Sequence, residues 1–294
     1  MKQNILGAIC LSLAASIWGG MYVVSKYVLD FIPPLTLVWL RFIIAFVVLY
    51  FILKIAEKKQ KKKVTIRKKD WLLFAWIGFI GYFISITCQF IGTKLSDAHT
   101  GSLVTSATPA FMVIFAALIL KEKLTARRLL STIIATIGVI IVIGWDIEIG
   151  SYFIGTIILV GAAITWALLS IYVKIASIQF SSLVITTYAI FFSLFFITPF
   201  MIWELQAASI GTVNTYVILG VLYLGIVSTA GAFFLWNKGL ELMDASIGSL
   251  FFFFQPIVGS LLGWLLLNET LNSNFFIGGI LIICSVFITT FEKK

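Results

Sequence analysis

Charged residues are scarce in this sequence. Asp, Glu, Lys and Arg together make up 11% of its 294 residues, whereas hydrophobic residues make up 61% and the mean hydropathy is +1.11. Soluble globular domains carry about 25% charged residues and about 45–50% apolar ones. The composition therefore excludes an ordinary soluble domain and predicts a protein that crosses a membrane many times.

Cysteine and histidine are also rare. Cys10, Cys88 and Cys284 fall in three separate apolar stretches, so they predict small buried side chains rather than a disulfide framework or a ligand set. His99 is the single histidine and has no acid-base partner beside it in the sequence. Metal-ligand spacings, phosphate loops and glycine-rich dinucleotide motifs are absent. We therefore predict no cofactor, no metal site and no enzymatic activity.

Acidic residues are missing from the middle of the apolar stretches. All twelve Asp and Glu residues fall in loops or near predicted helix ends. A carboxylate at mid-membrane is a typical member of a proton relay, so we do not expect proton antiport driven by a carboxylate. Coupling through another group stays open.

The sequence contains ten apolar stretches of about the length that a helix needs to cross a hydrocarbon core about 30 Å thick. Long apolar runs favour helices over the alternating pattern of membrane β-barrels. We therefore predict an all-helical integral membrane protein with ten transmembrane helices. The predicted spans are Ile5 to Val24, Leu35 to Leu53, Trp71 to Ile91, His99 to Leu120, Leu129 to Trp145, Tyr152 to Lys174, Leu183 to Trp203, Tyr216 to Trp236, Ala245 to Leu267 and Asn274 to Thr290.

Positive charge is unevenly distributed over the connecting segments. If the amino terminus lies inside, 18 of the 21 Lys and Arg residues fall on the cytoplasmic side, nine of them between Lys54 and Lys69. The positive-inside rule then predicts a multi-pass plasma-membrane protein with both termini in the cytoplasm. The net charge of +9 is thus a topology signal and does not indicate nucleic-acid binding. The loop Lys58 to Lys69 is either a solvated retention loop or a surface for anionic lipid.

The second half of the sequence repeats the first at a spacing of 147 or 148 residues. The matched positions include Trp18 and Trp166, Lys26 and Lys174, Gly78 and Gly225, Gly92 and Gly239, Pro109 and Pro256, and Glu122 and Glu269. We therefore predict two five-helix domains, residues 1–147 and 148–294. Because each contains an odd number of spans, the second enters the membrane from the opposite side, and the repeat is inverted. Many secondary transporters build two alternately opened gates in this way.

Two matched prolines predict the position of a substrate cavity. Pro109 lies about 15 Å into the fourth span, and Pro256 lies at a similar depth in the ninth. Each removes an amide donor, and matched breaks of this kind point to transporter binding sites, with a simple packing kink as the alternative. Hydroxyl groups near Pro109 and aromatic rings near Pro256 suit a small amphipathic solute. The predicted substrate-binding residues are Trp18, Tyr22, Arg41, Gln89, Ser102, Thr105, Pro109, Trp166, Ser170, Trp236, Gln255 and Pro256.

Three cations lie within or at the ends of predicted spans. Arg41 lies about 9 Å into the second span, and three roles stay open for it. It forms an ion pair with Asp30 or Asp97, binds a substrate carboxylate, or extends to the outer interface. Lys26 and Lys174 occupy matched helix ends and are candidate gate residues, with extension to the interface as the alternative.

Several short motifs together resemble those of the EamA-type drug/metabolite transporter superfamily. They are Trp18-Gly-Gly with Lys26, Pro33-Pro34 followed by Arg41, Asp97-Ala with Pro109, Lys121-Glu-Lys-Leu124, and Asn237-Lys-Gly-Leu240 through Pro256 to Asn268-Glu-Thr-Leu271. The resemblance covers essentially the whole chain. It implies ten helices in two inverted halves, a central cavity, and export or exchange of small metabolites, often amino acids. It does not carry over a substrate or a direction of transport.

The leading hypothesis is a secondary transporter that moves a small metabolite by alternating access around a midplane cavity. A non-transporting sensor or lipid-binding subunit that uses the same cavity is the alternative. An intramembrane enzyme is the third reading, and it has no catalytic constellation to support it. The sequence predicts neither the coupling ion nor the oligomeric state.

Overall fold

The computed structural model describes residues 2–60, 65–96, 98–143, 150–267 and 273–290. Throughout these ranges the regular secondary structure is helical, and seven of the helices are long and apolar enough to cross a membrane. The chain is therefore an all-helical, multi-pass membrane protein. Asp97, Trp145, Glu269 and the middle of the Lys-rich loop lie outside the described residues.

The helices follow one another with short connections. They are α1 (Lys2–Leu29), α2 (Pro34–Gln60), α3 (Lys68–Leu95), α4 (Ala98–Thr105), α5 (Thr108–Ile119), α6 (Ala126–Ile143), α7 (Ser151–Ala176), α8 (Ser182–Ala207), α9 (Thr215–Leu242), α10 (Ala245–Leu266) and α11 (Ser273–Thr290).

The predicted span His99 to Leu120 is interrupted near the predicted break at Pro109, because a turn at residues 106–107 divides it into α4 and α5. Pro109 lies in the first turn of α5, where its missing N–H costs little. The carbonyl of Thr105 loses its main-chain donor and instead accepts a hydrogen bond from Thr108 Oγ1 at 2.6 Å. A hydroxyl on the same chain thus satisfies the polar group that the proline leaves open.

The matched proline also follows an irregular turn. Before Pro256, the backbone of α10 tightens into a 3₁₀ turn at Leu250–Phe253 and then resumes as an α-helix. Proline cannot donate to the carbonyl four residues earlier, and a 3₁₀ turn is a common local adjustment. Both helices therefore depart from α-helical geometry at the depth where the sequence places the cavity.

Two π-helical segments widen α3 and α9 at matched positions, Gly78–Ser85 and Tyr223–Gly231. A Cβ atom on Gly78 would lie 2.4 Å from a backbone oxygen of α8, and one on Gly225 would lie 2.7 Å from a side-chain carbon of α2. Single-turn π segments inside α-helices often occur at functional sites. The hydrophobic pattern did not predict these segments.

Helix α1 packs backbone to backbone against α10. A Cβ atom on Gly19 would lie 2.6 Å from the carbonyl oxygen of Gln255 and 2.8 Å from the backbone nitrogen of Gly259. Small residues allow such close approach between helices in lipid, where dispersion contacts drive association. The crossing brings the aromatic residues of α1 and α10 into one central layer.

We expect Gly19→Ala to lower the melting temperature, because its methyl group must push the α10 backbone away. Gly161→Ala is the matched control, since no atom lies within 4 Å of a Cβ there. Alanine favours a helix over glycine by about 1 kcal/mol, so this control should melt at the same or a higher temperature. Circular dichroism melting of detergent-purified protein measures both, and equal melting temperatures would contradict the close crossing.

Candidate functional site

Aromatic rings from four helices meet at the centre of the molecule. The ring centroid of Trp18 on α1 lies 5.2 Å from that of Trp166 and 5.3 Å from that of Trp236. Phe233 and Phe252 complete the layer at 5.9 Å and 5.7 Å from Trp18. Edge-to-face and tilted geometries at these separations are favourable beyond simple burial.

A small cavity of about 10 Å³ lies beside this aromatic layer. Its volume accommodates about one water molecule. The cavity is lined by residues of α1, α3, α7, α9 and α10. These residues are Trp18, Met21, Tyr22, Ile86, Gln89, Trp166, Phe233, Phe252 and Gln255. The structure therefore holds the site in a contracted form, and a larger solute requires the surrounding helices to move apart.

Three buried polar atoms on the cavity-lining residues have no hydrogen-bond partner within the described chain: Gln89 Oε1, Trp166 Nε1 and Gln255 Oε1. Buried polar groups in native proteins are nearly always paired, so each such atom calls for an explanation. Together they offer one donor and two acceptors. This pattern is complementary to a ligand that carries both kinds of group.

The matched tryptophans differ in how their indole N–H groups are used. Trp18 Nε1 donates to the backbone oxygen of Ser228 at 3.0 Å, within the π-helical segment of α9. Trp236 Nε1 donates to the hydroxyl of Ser170 at 3.1 Å. The indole of Trp166 has no such acceptor among the residues that the structure describes. Trp18 and Trp236 are thus fixed by the protein, whereas Trp166 keeps a donor for another molecule.

A hydrogen-bond network joins α1, α4 and α10 at one wall of the cavity. The hydroxyl of Thr105 donates to the carbonyl of Gly101 at 2.7 Å and lies 2.8 Å from the hydroxyl of Tyr22. Gln255 Nε2 donates to Thr105 Oγ1 at 2.9 Å and contacts the Ser102 carbonyl at 3.5 Å. The network holds the amide nitrogen of Gln255. The amide oxygen of Gln255 therefore points away from the network and has no partner among the described residues.

Arg41 lies immediately behind the cavity wall and is 0% exposed, so it does not extend to the membrane interface. Its Nε donates to Thr229 Oγ1 at 2.7 Å, and its Nη1 lies 3.5 Å from the sulfur of Met21. The guanidinium carbon lies 4.9 Å from the ring centroid of Phe90 and 5.7 Å from that of Phe233. Met21 and Phe233 separate it from the cavity.

No carboxylate of the described residues forms an ion pair with Arg41. The predicted pairing with Asp30 is therefore wrong, and Asp97 lies outside the described part of the chain. Hydroxyls and ring faces stabilise the guanidinium but do not neutralise its charge. A buried charge without a counterion is costly, which makes this position attractive for an anionic group.

Lys26 and Lys174 make equivalent contacts from the last turns of the matched helices α1 and α7. Lys26 Nζ donates to the carbonyls of Ser96 at 2.9 Å and Thr93 at 3.4 Å, at the end of α3. Lys174 Nζ donates to two carbonyls at the end of α9, each at 2.8 Å. Cations are favourable at a helix C-terminus, where unpaired carbonyls accumulate. Their predicted role as gates stays a prediction.

The cavity includes five of the predicted residues: Trp18, Tyr22, Gln89, Trp166 and Gln255. Six others do not line it: Pro109, Arg41, Ser102, Thr105, Ser170 and Trp236. All of these except Pro109 form a hydrogen bond or a ring contact with a lining residue. Pro256 directly follows a lining residue without lining the cavity itself.

The predicted list of site residues lacks four lining residues: Met21, Ile86, Phe233 and Phe252. Each lies three residues from a predicted site residue and therefore on the same helix face. Extending the predicted polar positions by one helical turn would have found them.

The sequence model of one membrane-protein family matches the chain twice, over residues 5–144 and again over residues 153–291. The chain belongs to the EamA-like transporter family. This confirms the family resemblance of the motifs. This EamA-like transporter is 28% identical to the uncharacterized transporter YetK of Bacillus subtilis (strain 168), over all of this chain and 89% of the relative.

Other relatives agree with a transporter. The probable amino-acid metabolite efflux pump of Escherichia coli (strain K12) is 26% identical over 96% of this EamA-like chain and 94% of its own length. A solved crystal structure superposes with a TM-score of 0.78 at 19% identity and covers 99% of both chains. That structure supports the fold alone. The relatives together identify the chain as a membrane transporter.

We expect Trp18→Phe to lower the melting temperature more than Trp166→Phe. The first loses a hydrogen bond to the Ser228 carbonyl, worth about 1 kcal/mol, whereas the second loses none within the protein. Both substitutions remove a similar aromatic volume, so each is the control for the other. Circular dichroism melting in detergent provides the comparison, and an equal fall in both variants would contradict the assigned difference.

Proposed function

We propose that this chain is a secondary transporter that exports or exchanges a small zwitterionic metabolite, such as an amino acid, by alternating access. The supporting observation is the central cavity beside the buried Arg41. Within the described part of the chain, Gln89 Oε1, Trp166 Nε1 and Gln255 Oε1 in its wall have no hydrogen-bond partner. In a transporter, unpaired polar groups around a central space are best explained by a solute that pairs with them.

The two amide oxygens match an ammonium group. An ammonium carries three donors and no acceptor, so the oxygens of Gln89 and Gln255 each accept one of its hydrogen bonds. The neighbouring aromatic faces add cation–π attraction for the same positive charge. A solute without a donor at this position leaves both oxygens unpaired and binds more weakly.

The indole N–H of Trp166 and the guanidinium of Arg41 match a carboxylate. Trp166 donates one hydrogen bond, and Arg41 supplies the positive charge from behind Met21 and Phe233. A thioether side chain has three rotatable bonds, so Met21 is easily moved aside when the cavity widens. Direct contact between Arg41 and the carboxylate then becomes available, with the strength of a charge-assisted hydrogen bond.

Alternating access follows from the proposed topology. We place ten transmembrane helices in two inverted five-helix domains, residues 1–147 and 148–294, with both termini in the cytoplasm of a plasma-membrane protein. The double family match, the matched π-helical segments and the matched lysine contacts support this arrangement. The contracted cavity then corresponds to a state in which the halves enclose the site.

Export is the proposed direction. The name of the Escherichia coli relative supports it, and exchange of two solutes remains part of the proposal. We expect no enzymatic activity, because the relatives are named as transporters. Anionic lipid is proposed to contact the cationic loop Lys58 to Lys69 at the cytoplasmic surface.

We expect counterflow in proteoliposomes to show exchange of at least one zwitterionic amino acid. Arg41→Met should lower the exchange of carboxylate-bearing solutes by about tenfold or more, since a hydrogen bond to a charged group contributes about 1.5–3 kcal/mol. Amines that lack the carboxylate should be affected less. Arg127→Met is the control, because it removes an arginine from the exposed surface of α6.

Two results would overturn the proposal for Arg41 and for the transporter. Unchanged amino-acid exchange by Arg41→Met would exclude Arg41 from carboxylate binding. Absence of exchange for every zwitterion in a broad panel, with protein that is folded and inserted, would exclude the proposed function.

The topology is tested by cysteine labelling in a variant that lacks Cys10, Cys88 and Cys284. We expect Lys121→Cys and Lys238→Cys to react with a membrane-impermeant maleimide only from the cytoplasmic side, because an even number of proposed spans separates them. A third reporter, Val213→Cys in the connection between α8 and α9, should react only from outside. Labelling of the two lysine positions from opposite sides would contradict the inverted repeat.

A further inference from the structure

A cluster of charged residues connects the two proposed domains at one end of the molecule. Glu122, after α5 in the first domain, accepts hydrogen bonds at the start of α10 in the second. Its Oε1 lies 3.0 Å from the backbone nitrogen of Ala245, and its Oε2 accepts from the nitrogen and the hydroxyl of Ser246. A carboxylate is favourable at a helix N-terminus, where amide groups lack partners.

Arg128 on α6 joins this contact from the first domain. Its Nη1 donates to Ser246 Oγ at 2.8 Å and lies 3.7 Å from Glu122 Oε2, and its Nη2 lies 3.5 Å from Asp244 Oδ2. The side chains of Arg128 and Glu122 are only 13% and 16% exposed. Partial burial and several shared bonds distinguish this cluster from an isolated surface salt bridge, which contributes little.

The cluster and the central cavity lie on the same helix. Helix α10 runs from Ser246 to the cavity-lining Gln255 over about 14 Å. Ser249 lies between them, is 0% exposed, and donates to the carbonyl of Ser246 at 2.7 Å. Separation of α10 from Glu122 and Arg128 would therefore open a path along this stretch.

The repeat does not reproduce the cluster at the other end of the molecule. A spacing of 147 residues matches Glu122 with Glu269 and Asp244 with Asp97, but it matches Arg128 with Phe275. Phenylalanine forms no ion pair, so the arginine that joins two carboxylates at one end has no equivalent at the other. The sequence therefore differs between the two ends at this matched position.

We propose that Glu122, Arg128, Asp244 and Ser246 form an ionic gate, and that this gate closes the cytoplasmic end more strongly than the opposite end is closed. The proposal rests on the proposed function, which supplies the topology and the need for two gates. Since the better-held gate stays shut in the absence of solute, the resting transporter favours states that are closed to the cytoplasm. Loss of Arg128 shifts this balance toward cytoplasmic opening.

The test uses Ser249→Cys as a reporter in the variant without native cysteines. A membrane-impermeant maleimide is applied to the cytoplasmic face of inside-out vesicles, with no solute present. Arg128→Phe, which copies the matched residue of the other end, should accelerate labelling by at least about fivefold, in the range of typical coupling between two states. Arg127→Phe removes the same charge one residue away and should leave the rate unchanged. Arg128→Lys keeps a charge and should give a smaller acceleration.

Three results would overturn the gate. They are an unchanged rate in Arg128→Phe, an equal acceleration in Arg127→Phe, and acceleration from the outer face alone. If Arg128→Phe fails to insert, Glu122→Gln replaces it, because it removes the ionic charge and retains an acceptor. No acceleration in that variant would also overturn the gate.

The same measurements separate the gate from the transport function. Labelling needs no solute, so accelerated labelling without any exchange in the counterflow panel would support the gate and overturn the proposed function. Exchange of an amino acid with an unchanged labelling rate would support the function and overturn the gate.

Discussion

A guanidinium charge inside a membrane protein has to be accommodated by the groups around it, because lipid supplies neither water nor counterions. Arg41 on α2 meets this constraint with contacts from three other helices: Met21 on α1, Phe90 on α3, and Thr229 in the π-helical segment of α9. One side chain therefore joins three of the five helices that line the cavity. Its charge stays uncompensated within the described residues, so the same interaction that organises the centre also makes it receptive to an anion.

The small volume of the cavity gives this arrangement a mechanical consequence. A protein that binds a solute only after its helices separate couples the binding free energy directly to the movement. The aromatic layer around Trp18 fills the centre of the described structure, so a solute larger than water enters the proposed site only when the helices separate. The departures from α-helical geometry in α3, α9 and α10, and the turn before α5, lie in elements that the proposed alternating access would move. Irregular backbone of this kind is tolerated in a membrane where it is buried in protein.

Hydropathy predicted the helical class well, because apolar length is the physical requirement for crossing lipid. Pro109 predicted the interruption between α4 and α5, since a missing amide acts wherever the residue occurs. The π-helical segments were not predictable in the same way, because they depend on close packing at Gly78 and Gly225 between distant parts of the chain. Rare polar residues such as Gln89 and Trp166 identified the cavity, whereas Met21 and Phe233 are hidden among many apolar residues. The sequence also identified Arg41 as a candidate site residue but left its neighbours open.

Trp18 and Trp166 occupy matched positions in the two halves of the chain but use their indole N–H groups differently. A symmetric dimer of one half would present two identical tryptophans, both bound to backbone or both available. In one continuous chain, the Trp18 indole donates to the Ser228 carbonyl, while the Trp166 indole has no acceptor among the described residues. The two copies can thus diverge, one for rigidity and one for recognition. Such a difference between the halves would let an asymmetric solute, such as the proposed amino acid, bind in a single orientation within the proposed inverted repeat.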